Sequence, residues 1–329
     1  MNSNIKGVVL ISVLLVVLLL SSVAVLMGNN YLISLKRAAY LEFQTTSLNI
    51  FRNVESLALK KINLELKFNS ASINKQNPLL TNHLIFETEK GQIIGKISDA
   101  SGCFNINALV LKTKDNYVEN KKASASFRKF MSLKEVDNNL VEEMIDQVID
   151  WIDLDSNPRA YGLEDYFYSG PLNNPKEYSG QRLFVSINEL KGLPSFRRVN
   201  WKIFRNNFCA LQENSEFSIN INTLEIKDAY LLSSLFPNLP LNDAEYIITY
   251  LPKEGVNNLS SLSKLFPSMD FKSPNGILNF STKYFNLSSK ITFEEFSSES
   301  ITSIYYGNNN NSYIISVSYT HLRAHETSI

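Results

Sequence analysis

The apolar positions along this chain fall into three regimes. An unbroken apolar stretch runs from Val8 to Met27, with only a short polar leader ending in Lys6-Gly7 before it. A helix of that length reaches about 30 Å, the hydrocarbon thickness of a bilayer, so the segment is predicted to span a membrane. Beyond Met27 the apolar residues Tyr31, Leu32, Leu35, Ala38, Ala39, Leu41, Phe43, Leu48, Phe51, Val54, Leu57 and Leu59 keep returning at mixed spacings of three and four. That spacing continues the span as one amphipathic helix to about Leu66.

The second regime is extended. Residues 79–97 contain two runs rich in Ile, Leu and Phe around the turn signal Glu89-Lys90-Gly91, which predicts a hairpin packed on the long helix. From about Val118 to Phe266 the period becomes helical: Val136, Leu140, Met144, Ile145, Val148, Ile149 and Ile152 make one stripe over 134–152. Strand-like composition returns at 277–285, 289–296 and 313–317, so the helical part reads as an insertion into an αβ body. Within it, Asn105-Ile106-Asn107-Ala108-Leu109 is echoed by Asn220-Ile221-Asn222-Thr223-Leu224, which suggests two related modules. An Asn before a short helix caps it by accepting backbone N–H groups, so these Asn residues need no catalytic role.

With 44% hydrophobic and 19% charged residues over 329 positions, the chain can bury a sizeable core and is not disordered in bulk. A formal net charge of zero supplies no basic footprint for nucleic acid. Cys103 and Cys209 are the only cysteines. A disulfide between them and two buried free thiols both fit that count. Residues 318–329, with His321 and His325, fit neither strand nor helix and resemble a translated adapter; they are read as a non-native tail.

The densest chemical signal is the run from Asp150 to Asp165. Asp153, Asp155, Asn157 and Glu164 hold positions one, three, five and twelve of an EF-hand calcium loop, with Asp165 beside them. The sixth position, normally Gly, is Pro158, which forbids the ordinary EF-hand conformation but leaves an oxygen-rich loop. Oxygen ligands without His or Cys favour Ca²⁺ over Zn²⁺. The competing reading has Asp153 and Asp155 at helix ends and Glu164 and Asp165 in solvent. A hydrolase using Asp153 and Glu164 would need a nucleophile motif or phosphate loop, and neither is found in the sequence.

The Lys6-Gly7 junction, the two-part helix and the absence of a carboxylate at Ser12 resemble a type IV prepilin or pseudopilin lacking the usual fifth-position glutamate. A secretory signal peptide and a plain signal anchor are the alternatives from the N-terminus alone. Adding Gly102-Cys103-Phe104-Asn105-Ile106-Asn107, Trp151-Ile152-Asp153-Leu154-Asp155 to Gly162-Leu163-Glu164-Asp165, and Cys209-Ala210-Leu211, the chain is similar throughout to the general secretion pathway protein K (GspK) family of minor pseudopilins. Leu163 and Gln212 depart from that family's usual Ala and Pro without removing a ligand oxygen.

The resemblance implies an α+β pseudopilin fold with a large inserted helical domain. Its expected parts are a leader over 1–7, a long helix over 8–66, a body over 67–117 and 277–317, and an insertion over 118–276. It implies cleavage after Gly7 by a prepilin peptidase and N-methylation of Val8. It also implies a calcium site at Asp153–Asp165 and a Cys103–Cys209 disulfide. The expected setting is the bacterial inner membrane, single-pass, with the body in the periplasm. The expected partners are the minor pseudopilins GspI and GspJ and the pseudopilus, with exported proteins as a candidate contact and no nucleic acid. A membrane-anchored nucleic-acid receptor built on helix-hairpin-helix-like modules is the alternative of another class; the sequence lacks the Gly hairpins and basic face it needs.

Overall fold

The computed structural model describes residues 4–69, 71–171, 176, 178–201, 205–212, 217–294, 296–307 and 309–320, with backbone alone for 4–9 and 320. Helix α1 (Asn4–Phe68) is continuous over 65 residues, about 100 Å at 1.5 Å per residue. From Leu10 to Leu35 its large apolar side chains are all at least half exposed, and among the described residues it is the one helix long and apolar enough to cross a membrane. From Phe43 a stripe of Phe43, Ser47, Phe51, Val54, Ala58, Ile62 and Leu66 is buried at helical spacing.

The stripe packs on a sheet. After α2 (Pro78–Thr81), capped by Asn77, come β1 (Leu84–Thr88) and β2 (Gly91–Asp99), an antiparallel hairpin turning at Glu89-Lys90 as the sequence predicts. The chain then leaves the sheet for an inserted domain. That domain holds β3 (Phe104–Asn105), β4 (Val110–Lys112), β5 (Tyr117–Glu119), α3 (Lys121–Leu133), α4 (Asn138–Ile152), β6 (Phe208–Cys209), β7 (Ser218–Asn220), β8 (Ile277–Asn279) and short helices, among them Asp165–Tyr168, Ala229–Leu235, Leu241–Tyr250 and Leu259–Leu265. It returns with β9 (Tyr284–Phe293), β10 (Phe296–Tyr306) and β11 (Ser312–Thr320), giving sheet order β1-β2-β9-β10-β11, antiparallel throughout. Where α1 crosses this sheet the row beneath is small: Gly95, Ser289 and Ser300 are register partners. A Cβ on Gly95 would stand 2.9 Å from the Val54 side chain, so the close approach requires glycine.

Three expectations are corrected. The insertion does not begin at 118 and end at 276. Phe104, Ile106, Leu109 and Val110 lie in the same core as α3 and α4, and β8 pairs in parallel with β7 of the insertion rather than with the body sheet. The seam lies at Asp99 and Tyr284, where the Ala100 N–H donates to the Tyr284 carbonyl at 2.9 Å. Second, Phe296–Tyr306 is one long strand where the sequence reading ended a strand at 296. Third, Ser318, Tyr319 and Thr320 are no loose tail: they pair with Ile301, Ser300 and Glu299, and Tyr319 lies 5.8 Å from the Phe51 ring. Residues 321–329, including His321 and His325, fall outside the described residues.

The internal echo is structural. Asn105 and Asn220 each open a short 3₁₀ turn and accept from the backbone N–H two residues on. Asn107 exchanges two hydrogen bonds with the Phe184 backbone, and Asn222 does the same with Val256. Phe184 precedes the cap Ser186 by two residues, as Val256 precedes the cap Asn258. The paired residues lie 77 apart in the first module and 34 in the second. The acidic loop belongs to the longer span. The first module is also closed by a disulfide joining Cys103 to Cys209, Cα atoms 5.8 Å apart, where β3 and β6 pair in parallel.

Candidate metal site and family relationship

Helix α4 starts at the cap Asp137, which accepts from the N–H groups of Asn139 and Leu140, and ends at Asp153. Asp150 and Asp153 sit three residues apart at its C-terminal end and so share a face. The loop then folds back and Glu164 opens the short helix Asp165–Tyr168 without using its side chain as a cap. Asp150, Asp153 and Glu164 converge, each offering a carboxylate oxygen within 4.8 Å of the others. They are buried, at 0%, 6% and 2% exposure.

The loop is braced by other residues. The Arg159 N–H donates to Asp150 Oδ2 at 3.0 Å, while its guanidinium is committed to Asp146 and Glu119, both at 2.7 Å. Gly162 passes so close that a Cβ there would stand 1.8 Å from Asp150 Oδ2. Asn116 accepts from the Leu154 N–H and donates to Asp155 Oδ2. Asp165 accepts from both the N–H and the hydroxyl of Ser179.

Of the five residues expected as ligands, the structure therefore brings Asp153 and Glu164 together and adds Asp150. Asp155 is engaged by Asn116 and the Asn157 N–H; Asn157 is exposed; Asp165 anchors the Ser179 segment. Asp150 opens the acidic run but falls outside the EF-hand spacing; its i, i+3 relation to Asp153 at a helix end is the signal that picks it out.

Electrostatics mark the triad as incomplete by itself. Burial, reinforced by the neighbouring carboxylates, pushes Asp150 up to about 6 and Asp153 and Glu164 up to about 7. Burial and the same carboxylates also push the Tyr168 phenol upward. Two ionised oxygens 4.8 Å apart repel by on the order of 3 kcal/mol at an effective dielectric of about 20. Oδ1 of Asp150, Oδ1 of Asp153 and Oε1 of Glu164 are buried and lack a hydrogen-bond donor among the described residues. Three orphaned hard oxygens with no His or Cys among them fit a divalent cation of the calcium type.

Residues 102–213, which contain the first module, the acidic loop and both cysteines, match the family model "Type II secretion system (T2SS), protein K". Curated relatives include a putative type II secretion system protein K of Escherichia coli K12, 25% identical over 78% of this chain and 77% of its own length. Type II secretion system protein K of Aeromonas hydrophila is 25% identical over 83% and 85%, and that of Pectobacterium carotovorum 32% identical over 55% of each chain. In fold, the chain is similar to one in the crystal structure of the GspK-GspI-GspJ complex from the enterotoxigenic Escherichia coli type 2 secretion system. The TM-score is 0.73 at 22% identity, over 87% of this chain and 99% of that one. With the membrane-length helix, the sheet packed on its distal half and the inserted disulfide-closed domain, the chain carries a type II secretion system protein K domain over residues 102–213 and is similar along most of its length to the protein K minor pseudopilins.

Proposed function

We propose that this chain stands at the tip of a type II secretion pseudopilus, starting or capping the filament together with I-type and J-type minor pseudopilins, and that it does so without catalysing a reaction. The observation that carries this reading is α1: an apolar half with exposed side chains from Leu10 to Leu35, continuous with a half whose buried stripe packs against a bulky folded unit. A helix of this kind exchanges lipid contacts for helix contacts on assembly. The apolar half has no carboxylate, and Ser12 stands where a glutamate would pair with a neighbour's amino terminus. A subunit without that partner is poorly equipped to add beneath another. The complex named for the fold relative supports the choice of partners.

In this reading a prepilin peptidase cuts after Gly7 and Val8 becomes the methylated amino terminus, with the helix held in the inner membrane and the body in the periplasm. A divalent cation, Ca²⁺ by donor chemistry, is held by Asp150, Asp153 and Glu164 and supplies the positive charge the buried triad lacks. The test is processing and assembly in a secreting cell. Gly7→Glu should leave the leader in place and abolish co-purification with the I and J subunits; normal cleavage of that variant would sink the prepilin reading.

A further inference from the structure

The two modules use their matching Asn pairs on different targets. In the first, Asn105 exchanges bonds with Leu211 and Asn107 with Phe184, inside the insertion. In the second, the same positions reach the body. Asn220 Nδ2 donates to the Ile73 carbonyl and to Asp99 Oδ2, both at 2.9 Å. Thr223 Oγ1 donates to the same Oδ2 at 2.7 Å. Asn222 Nδ2 donates to the Phe280 carbonyl at 2.8 Å and to Ser72 Oγ at 3.1 Å, and the Ile73 N–H closes the circuit on Phe280. The other oxygen of Asp99 holds the N–H and hydroxyl of Ser101, the first turn of the departing chain. Asn220 and Asn222 are 1% and 3% exposed, whereas Asp99 and Thr223 are half-buried, so the amide side of these bonds is shielded from water and the carboxylate side only partly.

We propose that Asp99, the last residue of β2, is a positioning residue that sets the orientation of the inserted domain on the pseudopilin body by holding Asn220 and Thr223 of the second module. The second module is the mount, and the first, with its disulfide and acidic triad, is what is mounted. Apolar contact alone is non-directional. A carboxylate bonded by an amide and a hydroxyl from the opposite unit selects one arrangement. The inference goes beyond the assembly reading and holds whether or not the chain caps a filament.

The test uses the full chain in lipid nanodiscs, with nitroxide labels on Ser288→Cys in the body and Lys122→Cys in the insertion, the native cysteines being bonded to each other. Pulsed EPR on the parent should give one narrow distance distribution. Asp99→Ala and Asn220→Asp should each broaden it while the near-UV circular dichroism of the domains is retained. Thr223→Val removes a single donor at nearly constant shape and carries the same expectation of broadening should Asp99→Ala fail to fold. Unchanged distributions in the folded single variants would overturn the proposal.

Discussion

Asp150, Asp153 and Glu164 are buried, and the Arg159 guanidinium, whose charge favours ionisation of Asp150 and Asp153, makes its own hydrogen bonds to Asp146 and Glu119 instead. Their raised folded-state pKa values fix the sign of a pH effect. The folded chain without metal binds more protons than the unfolded chain between about pH 4 and 7, so its stability falls as pH rises through that window. Melting of the full chain in chelator should therefore be lower at pH 8 than at pH 5. A cation must displace those protons, so the Ca²⁺-dependent rise should be larger at pH 8, about 5–10 °C at a hundredfold excess over Kd. Asp150→Asn and Glu164→Gln should abolish the rise, and Gly162→Ala should do the same by driving a methyl into Asp150. Asn157→Ala should keep it, because Asn157 is exposed and stands outside the triad. A Ca²⁺ shift lost in Asn157→Ala would return the site to the EF-hand template. That template was the legible part of the sequence: the acidic loop was visible, but a spacing pattern built on loop positions cannot show that Asp150, counted as part of a helix, points the same way.

Among elements, those whose core face is apolar could be read directly. The buried stripe of α1, the hairpin of β1 and β2, and α4 all follow their periods. β10 could not, because its inward positions include Ser300 and Thr302, and Thr302 donates to the buried Glu55 of α1 at 2.7 Å. A strand whose buried residues are polar has no alternation to detect. The parallel pairings β3 with β6 and β7 with β8 were equally hidden, since each joins segments distant in sequence. One element depends on a single cation. Lys129 donates to the carbonyls of Phe236, Pro237 and Leu239 at 2.7, 3.0 and 2.8 Å, just past the C-terminus of helix Ala229–Leu235. Lys129→Met keeps the aliphatic stem and strands these acceptors, so it should cost about 1–3 kcal/mol in denaturant unfolding. Lys129→Arg should recover part of that loss.

At the scale of the molecule, the disulfide closes a loop spanning 106 residues. Chain-entropy reasoning gives about 4–5 kcal/mol for a loop of that length. Reduction, or Cys103→Ser with Cys209→Ser, should lower the unfolding midpoint accordingly while leaving the body sheet intact. Residues 100–282 replace what would otherwise be a turn: with them removed, β1, β2, β9, β10 and β11 are consecutive and each pairs with the next. A chain in which a tight turn joins Asp99 to Lys283 should retain the sheet by far-UV circular dichroism in nanodiscs. The touching ends of the insertion, Ala100 to Tyr284, also bear on the order of events during synthesis. When β2 leaves the ribosome its neighbour β9 does not yet exist, and the α1 stripe has two of the sheet's five strands to cover it. The insertion is complete first, and by folding it brings its own ends together, so that a long-range strand pairing is reduced to closing a hairpin. The grafted domain is in that sense the splint on which the last three strands of the body are laid.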